Sequence, residues 1–135
     1  MEQKVLVDTN LIIYYLSSEY SQEFKLRMDK VIQDLPYISF VTKIELLGWK
    51  GHTSESLEIA RSFLTCFITL FPDEQLLETA SSLARKRKMS LGDSIIAATT
   101  IENNLILATR NTKDFDWIEN LQLYNPINNP TGEKP

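Results

Sequence analysis

A chain of 135 residues with 43% hydrophobic and 24% charged content is one ordinary globular domain, large enough for a real core and too small for two. Its 14 basic and 18 acidic residues leave a formal net charge of −4, which weighs against a nucleic-acid partner only if the acids are dispersed, because carboxylates gathered around bound cations invert the local sign. A lone cysteine, Cys66 in FLTCFITLF, reads as a reduced, buried core thiol and leaves no room for a disulfide or zinc framework. Neither a basic-then-apolar leader nor a long apolar stretch is present, so the reading is cytoplasmic, with no membrane segment.

In chain order, Val5 to Val7 form a short apolar run that ends on Asp8, the pattern of a buried parallel strand. LIIYYL (Leu11 to Leu16) begins a helix. Ser21 to Leu35 is amphipathic, with Phe24, Met28, Val31, Ile32 and Leu35 on one face and Pro36 as its stop. Tyr37 to Val41 reads as the second strand and TKIELLGW as the helix after it, closed by Gly48 or Gly51. A helix over Ser54 to Leu64 leads to the β-like CFITLF, and Pro72 and Asp73 start a helix of about fifteen residues with Leu76, Leu77, Ala80, Leu83 and Ala84 inward. Ser90 to Asn104 is the most Ala-rich helix and belongs against the sheet. LILAT (Leu105 to Thr109) is a strand, NTKDFDWIEN a turn or short helix, and LQLYN the last strand. Residues 1–126 then make the domain, and 127–135 a polar, disordered tail. Strands alternating with helices give a three-layer α/β/α sandwich around a four- or five-stranded, mainly parallel sheet.

Placed on this map, the carboxylates concentrate at strand-to-helix junctions. Asp8 ends the first strand, Glu45 opens the helix after the second, Asp93 opens the Ala-rich helix, and Asp114 and Asp116 follow the fourth strand. In a parallel sheet these junctions share one edge, where ligands bind. Four ionised carboxylates crowd together only around cations, and hard oxygen ligands suit Mg²⁺ or Mn²⁺. Helix capping is the competing account. Asp8 can serve as an N-cap, and Thr42 with Glu45 and Ser90 with Asp93 both fit the S/T-x-x-D/E capping box. The two roles are compatible, since a helix N-terminus favours an ionised carboxylate.

VLVDTNLII, ISFVTKIELL and MSLGDSIIAATTIENNLILATRNTKDF, in this order, resemble the signature blocks of PIN-domain ribonucleases, and within them the VapC-like toxins of toxin–antitoxin pairs. The similarity runs from about residue 4 to residue 125, and its last block is the most specific. The resemblance implies a PIN-like fold and a Mg²⁺- or Mn²⁺-dependent endoribonuclease whose catalytic acids fall on Asp8, Glu45, Asp93 and Asp114. Asp8, Asp93 and Asp114 would hold the metal, Asp116 being an alternative to Asp114, with Thr9, Thr109 and Asn111 as polar support. It also implies an RNA substrate, a cognate antitoxin and a homodimer. Arg110 and Lys113 bracket the expected site and are candidates for RNA phosphate, whereas Arg85, Lys86, Arg87 and Lys88 read first as the solvated end of a helix. His52, the only histidine, lacks a nucleophile elbow and reads as a surface residue; Tyr14, Tyr15, Phe24 and Met28 read as core.

Rival classes also place acids at a parallel sheet edge. A haloacid-dehalogenase-like phosphatase wants a second Asp two residues after the first, and Asn10 stands there; a phosphoryl-accepting receiver wants its Asp after the middle strand, and Asp73 follows Phe71 and Pro72 awkwardly. No G-x-G-x-x-G follows the first strand, which removes dinucleotide binding. A free-standing PIN nuclease of RNA processing and a non-catalytic interaction module stay open.

Overall fold

In the computed structural model, which describes residues 4–128, each apolar run becomes a three-residue strand and most of the intervening chain is helical. The order is β1 (Val5–Val7), α1 (Thr9–Ser17), α2 (Gln22–Gln33), β2 (Tyr37–Ser39), α3 (Phe40–Leu47), α4 (Ser54–Leu64), β3 (Ile68–Leu70), α5 (Glu74–Lys86), α6 (Leu91–Glu102), β4 (Ile106–Ala108), a 3-10 turn (Thr112–Asp114) and β5 (Gln122–Tyr124). The strands form one sheet in the order β3-β2-β1-β4-β5, and every pairing is parallel. Strand order therefore reverses beside β1, which makes the carboxyl end of β1 and β4 the topological switch point.

Alternation of side chains across the strands divides the core between two faces. Val7, Ile106, Ala108 and Tyr124 pack with Leu11, Ile12, Phe24, Met28, Leu46 and Leu64, from α1 to α4. Leu6, Leu107 and Leu123 pack with Leu76, Leu83, Ile96 and Ala97, from α5 and α6. The three-layer sandwich expected from the sequence is what forms. Buried Ala97, Ala98, Thr99 and Thr100 keep α6 narrow where it meets the sheet, and the two threonine hydroxyls donate back to the carbonyls of Ile95 (2.6 Å) and Ile96 (2.8 Å), so neither is left unpaired. Among the described residues no helix is long and apolar enough to cross a membrane.

Several local expectations are corrected. The second strand stops at Ser39 rather than Val41, because the Ser39 hydroxyl accepts from the Val41 amide and caps α3 two residues before the chain stops looking β-like. Leu77 is 53% exposed and Ala84 is also on the solvent side of α5, whose buried positions are Leu76, Ala80 and Leu83. Leu35 leaves the apolar face of α2: it adopts φ 56° after the helix and is exposed. Cys66 is a free thiol, only half-buried, against the first face of the core. His52 is not a free surface group; its ring nitrogens reach the Leu46 carbonyl (2.7 Å) and the Ser56 hydroxyl (2.9 Å), tying the end of α3 to the start of α4. Arg27 donates to the carbonyl of Pro126 and, within the expected tail, to that of Ile127, while 129–135 lie outside the described residues.

Candidate metal centre

Register builds the site first. Val7 pairs with Ala108, so the next residues out of the sheet on adjacent strands are Asp8 and Thr109, and the Asp8 amide still donates to the Ala108 carbonyl at 2.9 Å. At that level the Thr109 hydroxyl donates to Asp8 Oδ2 (2.8 Å) and the Thr9 amide donates to Asp8 Oδ1 (2.8 Å). Asp8 thus caps α1 and presents a carboxylate at the switch point; capping and site geometry coincide on one side chain. Thr109 is in turn fixed by the Asn111 amide, which donates to its Oγ1 at 3.0 Å. Asn111 supports the centre through its backbone.

Glu45 reaches the same place from a different part of its helix than its sequence pattern suggests. Because α3 begins at Phe40, Glu45 lies in its second half, and the Thr42–Glu45 pair is not a capping box. Three residues apart on a helix, the two share a face instead. The Thr9 hydroxyl sits 2.7 Å from Glu45 Oε1 and 2.8 Å from the Thr42 hydroxyl. A carboxylate only accepts, so the single Thr9 proton serves Glu45 and the fully buried Thr42 hydroxyl supplies the other hydrogen. Thr42 is the supporting residue that sequence reasoning assigned to a cap; its helical spacing from Glu45 was the available signal.

Asp93 enters on the first turn of α6, where the Ser90 hydroxyl accepts from its amide at 3.0 Å. The capping half of the S-x-x-D pattern is therefore present, and the Asp93 carboxyl still lies within the field of the other acids. Glu45 Oε2 lies 3.5 Å from the point where a Cβ on Gly92 would stand, so α3 and the start of α6 meet over the site. Asp114 is exposed on the 3-10 turn after β4, whose geometry is set by the Asp114 amide donating to the Asn111 carbonyl at 3.0 Å.

Electrostatics link these acids. Burial pushes the Asp8 carboxyl up to about 6; the bonds from Thr109 and the Thr9 amide oppose that, and the charges of Asp93 and Glu45 add to it. Asp93 is also raised, by desolvation first and then by the charge of Asp114, with a further contribution from Glu45. Of the two candidate acids after β4, both exposed, Asp114 is the one whose charge Asp93 feels. Among the described residues the ion pairs are Lys25–Asp29 and Arg61–Glu58, so the acidic group contains no cation of its own. No three Asp, Glu, His or Cys side chains among the described residues stand close enough to enclose one ion. The arrangement is an open acidic basin in which Asp8 is 4% exposed while Glu45 and Asp114 stand exposed at the rim. All its donors are hard oxygens, the set that Mg²⁺ and Mn²⁺ prefer.

Comparison with known proteins identifies the family. The PIN domain family model matches residues 5–120. A search of curated protein sequences found no match. Among solved structures, a toxin–antitoxin complex from Klebsiella pneumoniae contains a chain 28% identical, with TM-score 0.72 over 91% of this chain and 98% of that one. A chain of VapBC-1 from nontypeable Haemophilus influenzae is 28% identical, with TM-score 0.75 over 90% and 97%. A chain of DNA-bound VapBC from Salmonella typhimurium, 22% identical, shares the fold at TM-score 0.78 over 93% and 99%. With most of its length matched by the family model and its acids at the switch point of a parallel sheet, the chain belongs to the PIN domain family.

Proposed function

We propose that this PIN domain is a metal-dependent endoribonuclease, the VapC-like toxin of a toxin–antitoxin pair, acting on RNA in the cytoplasm with Mg²⁺ or Mn²⁺ as cofactor. The observation that carries the reading is Asp8: a buried carboxyl raised to about 6, facing further carboxylates with no cation among them. Such a group is unfavourable unless protonated or neutralised, and a divalent ion neutralises it while leaving it ionised. When bound, the ion supplies Lewis acidity and charge neutralisation for phosphodiester hydrolysis.

Asp8, Asp93 and Asp114 would hold it once the exposed Asp114 side chain turns toward the other two, with Glu45 as the fourth catalytic acid; Asp114 is preferred to Asp116 because of its influence on Asp93. The rest of the chain orients these groups. Thr109 and the Thr9 amide each occupy one lone pair of Asp8, which fixes the carboxylate plane and leaves a lone pair on both oxygens for an ion. The Thr9 hydroxyl, relayed to Thr42, holds Glu45 toward the basin. Asn111 holds Thr109. These partners act as the hydrogen-bonding surroundings that set ligand orientation in metal sites.

Support for the toxin role comes from the solved toxin–antitoxin complexes, which align over nearly the whole of both chains; a cognate antitoxin and a homodimer belong to the same proposal. Brief induction in cells, with sequencing of RNA 5′ ends and an Asp8→Asn control, tests it. New 5′ ends that depend on Asp8 are expected, along with cleavage by purified protein that requires Mn²⁺ and stops with chelator. Cleavage that survives excess chelator overturns the metal assignment. Harmless expression together with no neighbouring-gene partner turns the reading to a free-standing PIN nuclease.

A further inference from the structure

Two arginines close in the chain to the acid-bearing segments are each laid over an aromatic ring. Arg110 Cζ stands 4.9 Å from the centroid of Tyr14, and Arg87 Cζ 5.5 Å from that of Trp117. Both arginines are exposed, and among the described residues neither is in an ion pair. Their positions relative to the acids follow from chain neighbours. Arg110 immediately follows Thr109, the residue bonded to Asp8. It lines a cavity of about 520 Å³ together with Asn10, Tyr14, Ser17, Glu19 and Asn111, on the flank where β1 passes into α1. Arg87 is three residues before Ser90, the cap of the helix that carries Asp93, and its ring partner Trp117 donates an indole N–H to the Asp114 carbonyl at 3.0 Å. Tyr14 packs on the first face of the core and Trp117 on the second, so the two pairs stand on opposite sides of the sheet with the acids at the edge between them.

A guanidinium held over a ring face keeps N–H donors of its own plane free while losing much of its rotamer freedom, a state well suited to gripping a phosphate. A chain of net charge −4 whose acids gather at one edge repels the RNA backbone there unless cations flank that edge. We propose that Arg110 on Tyr14 and Arg87 on Trp117 are two phosphate grips for one single-stranded RNA, which crosses the sheet edge with the scissile phosphate over the acids and one grip on each side of the cut. The inference rests on the nuclease reading and specifies how its substrate lies. Arg85, Lys86 and Lys88 extend the positive field beside Arg87, and Lys113 stands exposed on the 3-10 turn between Arg110 and Asp114.

The test uses fluorescein-labelled single-stranded RNA of about a dozen nucleotides, within the usual reach of such sites. Binding is followed by polarisation over a salt series in an Asp8→Asn background so that the strand stays intact, and the cut is mapped separately with Asp8 present. Arg110→Gln and Arg87→Gln should each weaken binding several-fold and reduce the salt slope by about 0.7, the value for one phosphate on a single strand. Arg61→Gln, an exposed arginine paired with Glu58 on α4, should change neither. Shortening the strand on one side of the cut should abolish the dependence on one arginine and preserve the other. Unchanged affinity and slope in both variants, or loss of both dependences on the same shortening, overturns the two grips even if the protein cleaves RNA with Mn²⁺. Arginine-dependent binding in a protein that never cleaves keeps the grips and sinks the nuclease reading instead.

Discussion

Asp8 and Asp29 each accept a hydroxyl hydrogen bond, yet their surroundings drive the two carboxyls in opposite directions. Asp29, on α2, has Lys25 Nζ at 2.7 Å and the Tyr15 hydroxyl at 2.6 Å, and these two donors hold its carboxyl below the usual range. Asp8 has the Thr109 hydroxyl and a backbone amide, but it is buried and its charged neighbours are Asp93 and Glu45, so it is raised to about 6. The first acid brings its counter-ion on its own helix. The second has no cation paired with it among the described residues, and the proposed metal would supply one. Burying a carboxyl in the field of two others costs stability that the proposed metal would offset, and this cost is the physical distinction between the two aspartates.

The largest expected effect comes from neutralising the second kind. Asp8→Asn should reduce RNA cleavage by at least about 10² to 10³, the scale seen when one electrostatic stabiliser is removed from an active site. At neutral pH the apo protein should be at least as stable as before, because Asn keeps the shape without the buried charge, its Oδ1 accepts from the Thr9 amide, and its Nδ2 can donate to the Thr109 hydroxyl. Asp93→Asn should act in the same way, since the cap of α6 comes from Ser90 rather than from Asp93. Cleavage assays with parallel thermal melts check both; a variant with full activity and a much lower Tm would return that residue to a structural role.

Stability against pH separates the acids next. For Asp8 the folded pKa, about 6, exceeds the unfolded value near 3.8. Between those values the folded state holds the extra proton, so the contribution of Asp8 is favourable at low pH and is lost as pH rises through 4 to 6, by on the order of 3 kcal/mol. Added Mg²⁺ or Mn²⁺ should restore this loss at neutral pH and raise Tm by linkage, and the metal response should fade as pH falls through about 6, where protons compete for the carboxyl. Melts at pH 4.5 and 7 (about those values, bracketing the titration), with metal and with chelator, read all three signs. Equal metal responses in wild type and Asp8→Asn would remove the distinction from Asp29.

The strand and helix order, the parallel sheet and the positions of Asp8 and Asp93 were legible because they depend on local signals: an apolar run ending on an acid, and a serine cap three residues before another. Glu45 was legible as an acid near the edge but not in its position on α3. YISFV is β-like throughout, and the cap that ends the strand, Ser39, lies inside it. The relay from Thr9 to Glu45 and Thr42 joins residues 33 and 36 apart, a contact that only the sheet can specify. Asp114 and Asp116 look equivalent in sequence, and both are exposed; the charge of Asp114, the last residue of the 3-10 turn, is the one that raises Asp93. Leu77 misled because its neighbour Leu76 is the buried one, and adjacent leucines do not reveal which of them a helix turns inward.

A smaller effect is expected from the hydroxyl that holds Asp8. Thr109→Val keeps the shape of a fully buried residue while removing the donor to Asp8 Oδ2 and the acceptor of the Asn111 amide. Loss of such an orienting partner lowers metal affinity or activity by about 10- to 100-fold, with a cost of about 1–3 kcal/mol for buried groups left unpaired. The Asp8 carboxyl should rise further, since the Thr109 bond lowers it. The acid limb of the pH–rate profile should therefore move to higher pH. A profile that keeps its position while the rate falls would mean that Thr109 supports the fold without tuning Asp8.

Asp29→Asn sets the lower bound of the comparison. Its folded carboxyl lies below the unfolded value, so the stabilisation is present at neutral pH and disappears as pH falls through the folded value, the reverse of Asp8. The magnitude is small because the Lys25–Asp29 pair is near the surface, on one helix and four residues apart, and it shrinks further at high salt. Tyr15, whose phenol is raised by burial and by Asp29, keeps an acceptor in the Asn side-chain oxygen. Metal response and RNA cleavage should match wild type, since this acid never lacked a cation. Denaturant melts at low and high salt measure the stability change, and Mn²⁺ titration of the same protein measures the rest. A metal response that falls in Asp29→Asn would mean the two acids belong to one electrostatic system after all, and the division between a self-neutralised aspartate and a cation-seeking one would fail.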